Sequence, residues 1–298
     1  MKPGYKRIDS DFLSDGIRCA GWLYLPEGET PLPVLIMAHG LAAHKTFRLP
    51  EYAERFLQKG IAVFTFDYRF LGASDGQPKN VINPFYQVKD LKAAIRHVRK
   101  LPKINKDKIV LWGTSLGGGH VITASVDDLA IKAVIAQVPF LDVFSTMPLV
   151  GIRHCVRSIA VGFKDLLNSL IFKKTSYVPV IGKPDTFACM NTHDAKSGYL
   201  SIIPEECHCT WENKCAARFF LALLFYRPLS LAHRVKCPCL LVAAQKDSLI
   251  APSSVQKASK KIEKATLVWL PIHHFEIYTG SGFEQAVSIE IEFLKEHI

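Results

Sequence analysis

Lys108-Ile109-Val110-Leu111-Trp112-Gly113-Thr114-Ser115-Leu116-Gly117-Gly118-Gly119-His120 is the stretch that decides the fold. An apolar, strand-like run ending at Trp112 leads into Gly113-Thr114-Ser115-Leu116-Gly117, and a helical pattern follows from about Leu116 to Val126. A G-x-S-x-G between a strand and a helix puts its serine on a sharp turn, with glycines on either side to keep Cβ atoms out of crowded space. The helix behind it offers free N–H groups and a positive dipole end to developing negative charge. Ser115 is therefore the candidate nucleophile. Gly72-Ala73-Ser74-Asp75-Gly76 has the same spelling, but Tyr68 to Leu71 separate it from its strand and Gln77-Pro78 deny it a helix. Ser74 reads as a turn residue.

Working outward, Val34 to Ala38, Ile61 to Phe66 and Ala133 to Ala136 are continuous apolar runs, the pattern of strands buried on both faces. Helical patterns lie between them, at about Glu51 to Lys59 and Pro84 to Lys100. Strand and helix in alternation predict an α/β fold with a mostly parallel sheet and helices on both faces. Segments near Tyr5 to Asp11 and Ala20 to Leu25 read as antiparallel edge strands. After Pro139 the rhythm breaks: Phe-rich stretches (Phe140 to Ile152, Phe163 to Phe172), a loop at Tyr177 to Pro184 and a helical-looking Trp211 to Tyr226 follow, without a clean strand. It resumes at Cys239 to Ala244, a helix near Ser253 to Ile262, a strand near Leu267 to Leu270 and a terminal helix. A structureless loop of that length is improbable in a compact domain, so an α-helical cap is expected. The expected division is a first core part at 1–138, the cap at 139–236 and a second core part at 237–298. The cap phenylalanines could form its own core or line an acyl channel.

The chain has 298 residues, 49% of them hydrophobic and 21% charged, which excludes global disorder. No apolar run approaches the ~20 residues of a membrane span, and Met1 to Lys6 show no apolar signal region, so a cytoplasmic protein is expected. Eight cysteines in such a chain are expected as free thiols. A net charge of +10 invites an acidic partner, but Lys89, Lys92, Arg96 and Arg99 alternate with Val88, Leu91, Ile95 and Val98 at helical spacing. That is a solvated helix face, and with no aromatic stacking platform beside it nucleic-acid binding is not expected. Cys207-His208-Cys209 with Cys215 lacks the C-x₂₋₄-C spacing of structural zinc, and Gly117-Gly118-Gly119 lacks a P-loop lysine. No metal or organic cofactor is expected.

A serine hydroxyl needs a base. In the chain order Ser…Asp…His, Asp247 falls just past the strand ending at Ala244, and His273-His274 follow the strand ending near Leu270. Asp142 is an alternative acid, and the two histidines are not separable by position alone. The oxyanion hole needs two N–H donors, expected from Leu116 and from Leu41 after His39-Gly40.

These features resemble the α/β-hydrolase superfamily. Within it, Phe66-Asp67-Tyr68-Arg69, Trp112 to His120, Gln137-Val138-Pro139-Phe140, Tyr226-Arg227-Pro228 and His274-Phe275-Glu276-Ile277-Tyr278 resemble the polyketide transferase / thiohydrolase-type family. The resemblance implies an eight-stranded sheet with an inserted cap, and it aligns His274 with the catalytic imidazole, His273 standing where that family commonly has glycine. Phe140-Leu141-Asp142 keeps the family's Phe-x-Asp form, which assigns Asp142 to cap architecture. The expected function is acyl cleavage or transfer from a small-molecule ester or thioester through Ser115, Asp247 and His274, by a single chain or a homodimer. A serine aminopeptidase-like peptidase and a non-catalytic binding protein are the alternatives.

Overall fold

A computed structural model describes residues 4–28 and 31–298; Met1 to Pro3, part of the N-terminal stretch read above, lie outside the described residues. Eight strands form one sheet: β1 (Tyr5–Asp9), β2 (Gly21–Pro26), β3 (Leu32–Ala38), β4 (Ala62–Phe66), β5 (Ile104–Thr114), β6 (Ala133–Gln137), β7 (Cys239–Ala244) and β8 (Ala265–Leu270). Their spatial order is β1-β2-β4-β3-β5-β6-β7-β8. β1 and β2 pair antiparallel, as do β2 and β4, and every pair from β4 to β8 is parallel. The apolar runs are explained by burial: every residue of β4, β6 and β7 is buried. Parallel strands covered on both faces leave no solvent side to alternate toward.

Helices α1 (Leu49–Leu57), α2 (Pro84–Val98) and α3 (Leu116–Ser125) connect the parallel strands, and α3 packs on β5 and β6. Asn83 caps α2, its side-chain oxygen accepting from Phe85 N at 2.9 Å, with Pro84 in the first turn. The basic face of α2 makes surface ion pairs, Lys92 with Asp127 at 2.6 Å and Arg99 with Asp128 at 3.0 Å.

Between β6 and β7 lie α4 (Val143–Val150), α5 (Ile152–Phe172), α6 (Ala195–Ser201), α7 (Phe219–Phe225) and α8 (Pro228–Leu231). Two expectations need correction here. Tyr177–Val178 pairs antiparallel with Cys215–Ala216, so the stretch does contain strand, and the helix expected from Trp211 starts only at Phe219. A two-residue ladder is too short for alternation to register. A small hairpin, Phe12–Ser14 with Ile17–Cys19, likewise went unanticipated. Helices α9 (Pro252–Lys261) and α10 (Gly280–His297) complete the chain, α10 packing on α1 and β7. Among the described residues no helix is long and apolar enough to cross a membrane.

Candidate active site

β5 ends at Thr114 and α3 begins at Leu116, so one residue makes the whole turn. That residue, Ser115, has φ 54° and ψ −120°, a conformation rare for a side-chain-bearing residue and held only where the surroundings insist on it. Ser115 N donates to Gln137 O at 2.9 Å, and Ser115 O accepts from Gly118 N at 3.0 Å and Phe140 N at 2.8 Å. Glycine is required beside it: a Cβ on Gly117 would lie 2.2 Å from Ala38 O, and one on Gly113 would lie 2.3 Å from Gly117 O.

His274 follows β8 and Asp247 follows β7, and these adjacent parallel strands deliver both loops to one edge of the sheet. His274 Nδ1 lies 2.7 Å from Asp247 Oδ2, and both side chains are buried. The other oxygen, Oδ1, accepts from Leu249 N at 2.9 Å and Ile250 N at 2.8 Å, which fixes the carboxylate plane. Because a carboxylate only accepts, Nδ1 carries the proton and Nε2 is left with its lone pair. Ser115 and His274 line one small cavity, together with Gly40 and Leu41.

The alternatives separate cleanly. Asp142 Oδ1 accepts from Ser145 N at 2.7 Å as the N-cap of α4. His273 points instead toward Asp194, Nδ1 to Oδ2 at 3.9 Å. Ser74 is buried, its hydroxyl donating to Asp67 O at 2.6 Å and accepting from Ala20 N at 2.8 Å, a turn brace. The Cys207, His208, Cys209 and Cys215 group is not brought together: His208 Nε2 donates to Ile203 O, Cys207 Sγ lies near Thr46, and Cys215 Sγ sits 3.3 Å from Cys189 Sγ.

Sequence reading missed what holds the loop carrying Leu41. Tyr199 Oη donates to Leu41 O at 2.8 Å and Trp211 Nε1 to Ala42 O at 3.0 Å. Lys45 N and Nζ reach the two oxygens of Asp67 at 2.7 and 2.6 Å, and both side chains are buried. Burial alone would raise the Asp67 carboxyl, but the Lys45 ammonium beside it holds it below its usual range. Burial pushes the His39 imidazole down to about 4, so it stays neutral beside the loop. The signal available was the acidic Asp67 inside an otherwise apolar strand end, whose partner 22 residues away has no motif of its own.

A second, larger cavity of about 1050 Å³, including its mouth, opens from Ser115, Leu41 and Leu116. Its wall is apolar and comes largely from α4, α5 and α7, with Phe140, Met147, Ile159 and Leu223 among the lining residues. Among the described residues that line it there is no carboxylate, lysine or arginine.

Sheet order, a serine on a strand-to-helix turn and the loops after β7 and β8 define an α/β hydrolase. The chain belongs to the serine aminopeptidase S33 family, whose model matches residues 29–271. It is 36% identical to the quorum-quenching protein AidA of Acinetobacter baumannii over 97% of this chain and 94% of that one. It is 38% identical to the thiohydrolase aneE of Aspergillus aculeatus over 44% of this chain and 41% of that one. The crystal structure of the α/β hydrolase GrgF from Penicillium, 25% identical, superposes with a TM-score of 0.82 over 98% of this chain and 99% of that one. The resemblance to the polyketide transferases and thiohydrolases holds: the chain is a member of a hydrolase family, and proteins named polyketide transferase and thiohydrolase are among its relatives.

Proposed function

We propose that the protein is a serine hydrolase or acyltransferase acting on an ester or thioester with an apolar acyl group. The observation that carries this is the position of Ser115, which lines both the small cavity it shares with His274 and the large apolar cavity. The acyl chain occupies the apolar cavity and brings its carbonyl to the turn. His274 Nε2 takes the Ser115 proton as Oγ attacks, and the Leu41 and Leu116 amides hold the tetrahedral oxyanion. Asp247 keeps the tautomer and steadies the imidazolium. The imidazolium then protonates the leaving alcohol or thiol, and water or an acceptor alcohol resolves the acyl-enzyme by the reverse proton path. In this proposal residues 139–236 are the cap that shapes the acyl cavity.

An aminopeptidase needs a group to receive its substrate's charged amino terminus, and the absence of a carboxylate from the described lining argues for acyl esters instead. Turnover of acyl p-nitrophenyl esters and a fluorophosphonate label on Ser115, both lost in Ser115→Ala, are the expected results. Ester turnover surviving in that variant, or aminoacyl anilides outpacing esters, would refute the proposal.

A homodimer is proposed on the outward face of α5. Ile152, Val156, Phe163, Leu167 and Leu170 are 54–70% exposed and recur at spacings of four, seven, four and three, one continuous helical stripe. An apolar stripe of that extent marks an interface. Sedimentation should give a dimer that Leu167→Asp dissociates; a monomeric parent chain would rule it out. A cytoplasmic location is proposed on the eight free cysteines, and cell fractionation tests it.

A further inference from the structure

Asp194, just ahead of α6, reaches across to the loops that follow β7 and β8. Its Oδ1 accepts from Thr192 Oγ1 at 2.8 Å and from Ser248 Oγ at 2.6 Å, so two hydroxyls set the carboxylate's orientation. Its Oδ2 is buried without a hydrogen-bond partner, and so is Nδ1 of His273. These two orphan atoms face one another at 3.9 Å, too far for a hydrogen bond. On the other side His193 Nδ1 lies 4.0 Å from Asp194 Oδ1. One ligand atom from each of the three residues lies within 4.8 Å of the others.

We infer that His193, Asp194 and His273 form a binding site for a divalent transition-metal ion of the zinc class at the edge of the active site. Metal bonds to imidazole nitrogen and carboxylate oxygen are about 2.0–2.2 Å, so two ligands of one ion lie at most ~4 Å apart and ~3.4 Å apart at tetrahedral angles. His273 Nδ1, 3.9 Å from Asp194 Oδ2, is already within that reach, and the His193 ligand atom, within 4.8 Å of the other two, closes onto the same ion with a shift of about an ångström. The exposed His193 can supply most of that movement, because its side chain is 70% exposed. Two imidazoles and a carboxylate leave one position open to water, and the hydroxyls of Thr192 and Ser248 are the outer partners that orient the carboxylate. An alkaline-earth ion would demand more oxygen ligands than this group offers.

The ion would join three segments distant in sequence. It would hold residues 192–194 to His273, whose neighbour His274 pairs with Asp247, and through Asp194 to Ser248, whose neighbour is Asp247 itself. The inference stands apart from the proposed hydrolase chemistry, since its readout is metal binding. It was not legible as a motif because His273 lies 79 residues beyond the adjacent pair His193-Asp194 and none of the three lies in a Cys/His knuckle.

The test uses the full chain stripped with chelator. Titration with Zn²⁺ should show one equivalent bound, and Co²⁺ substitution should give visible bands without a thiolate charge-transfer band. Asp194→Asn keeps the acceptor for Thr192 and Ser248 but removes the anionic ligand, and together with the exposed His193→Ala it should weaken binding ~100-fold or more. Saturating Zn²⁺ should raise the Tm by ~2–5 °C in the parent chain and in neither variant. Circular dichroism of the metal-free variants should match the parent and so exclude misfolding. No binding at millimolar Zn²⁺, affinity unchanged in both variants, or a thiolate band on cobalt would each overturn the site.

Discussion

Replacing Asp247 by asparagine tests the proposed mechanism at its least obvious point. Oδ1 already accepts from the Leu249 and Ile250 amides, so an asparagine can place only its carbonyl there; the flipped amide would oppose N–H to N–H. Its NH₂ must then take the place of Oδ2, 2.7 Å from His274 Nδ1. A donor at that position turns Nδ1 into an acceptor and moves the ring proton to Nε2, where it meets Ser115 as a donor. The base is lost although its geometry survives. The expected fall in kcat for an acyl ester is about 10⁴, or roughly 5 kcal/mol of transition-state stabilisation. KM should change little, because Asp247 lines neither cavity. Asp142→Asn is the internal control: asparagine caps a helix as well as aspartate, so α4 keeps its bond to Ser145 N and kcat should stay within a factor of a few. Steady-state kinetics with matched circular dichroism read both. An Asp247→Asn enzyme within tenfold of the parent, or an Asp142→Asn enzyme falling as far, would refute the assignment of the acid.

Two further outcomes concern the scaffold. Glu290 on α10 is fully buried with neither oxygen hydrogen-bonded, and burial pushes it from 4.5 up to about 8; the Trp112 indole beside it offsets this only in part, its N–H lying outside hydrogen-bonding geometry. The folded chain therefore holds this proton more tightly than the unfolded one, and Glu290 should make stability decline between pH 4.5 and 8, by roughly 5 kcal/mol once both states are ionised. Urea melts should show that slope flattened in Glu290→Gln; parallel profiles for the two proteins would dispose of the idea. Gly117→Ala should abolish activity and lower stability by about 1–3 kcal/mol or more, since the new Cβ would stand 2.2 Å from Ala38 O and 2.6 Å from His39 O, backbone atoms that cannot rotate away. Normal melting and turnover in that variant would mean the turn tolerates a side chain.

The sheet was legible because strands buried on both faces spell themselves as unbroken apolar runs, and Ser115 because strand, G-x-S-x-G and helix are contiguous. What pattern reading could not settle were pairings across sequence. Asp247 and Asp142 both follow a strand, and only the direction of each carboxylate, one toward His274 and the other toward Ser145 N, tells them apart. His273 and His274 adjoin in the chain, but their rings face different partners. The extent of β5 was underread because Asn105 to Lys108 are exposed or half-exposed and break the apolar run, yet the strand begins at Ile104. Helix α5 was only partly recognised, since its exposed face is the apolar one: just Ser158, Gly162 and Asp165 are buried, the reverse of an ordinary amphipathic helix.

Two of the segments that carried the family resemblance, Phe66 to Arg69 and Tyr226 to Pro228, contain none of the proposed triad residues and brace the candidate site instead. In Phe66-Asp67-Tyr68-Arg69, Asp67 grips Lys45 of the Leu41 loop, and Arg69 Nε donates to Asp90 Oδ1 on α2 at 2.7 Å. Between them Tyr68 lies edge-on to both His39 and His120, at ring separations of 4.5 and 5.6 Å. His120, at the end of the Trp112 to His120 segment, donates from Nε2 to Gln87 Oε1 at 3.0 Å and accepts at Nδ1 from the Tyr226 hydroxyl at 2.6 Å. Burial lowers its pKa to about 3, so this bridge keeps one protonation pattern throughout the range where an imidazole base works. Thus Tyr226, from the segment between β6 and β7, is tied through His120 to the helix that follows Ser115. A buried polar network of this kind is satisfied only in one arrangement, and each partner removed leaves another buried group unpaired. Substituting Tyr226 or Gln87 would therefore strip a buried partner from His120 and cost stability at a distance from Ser115.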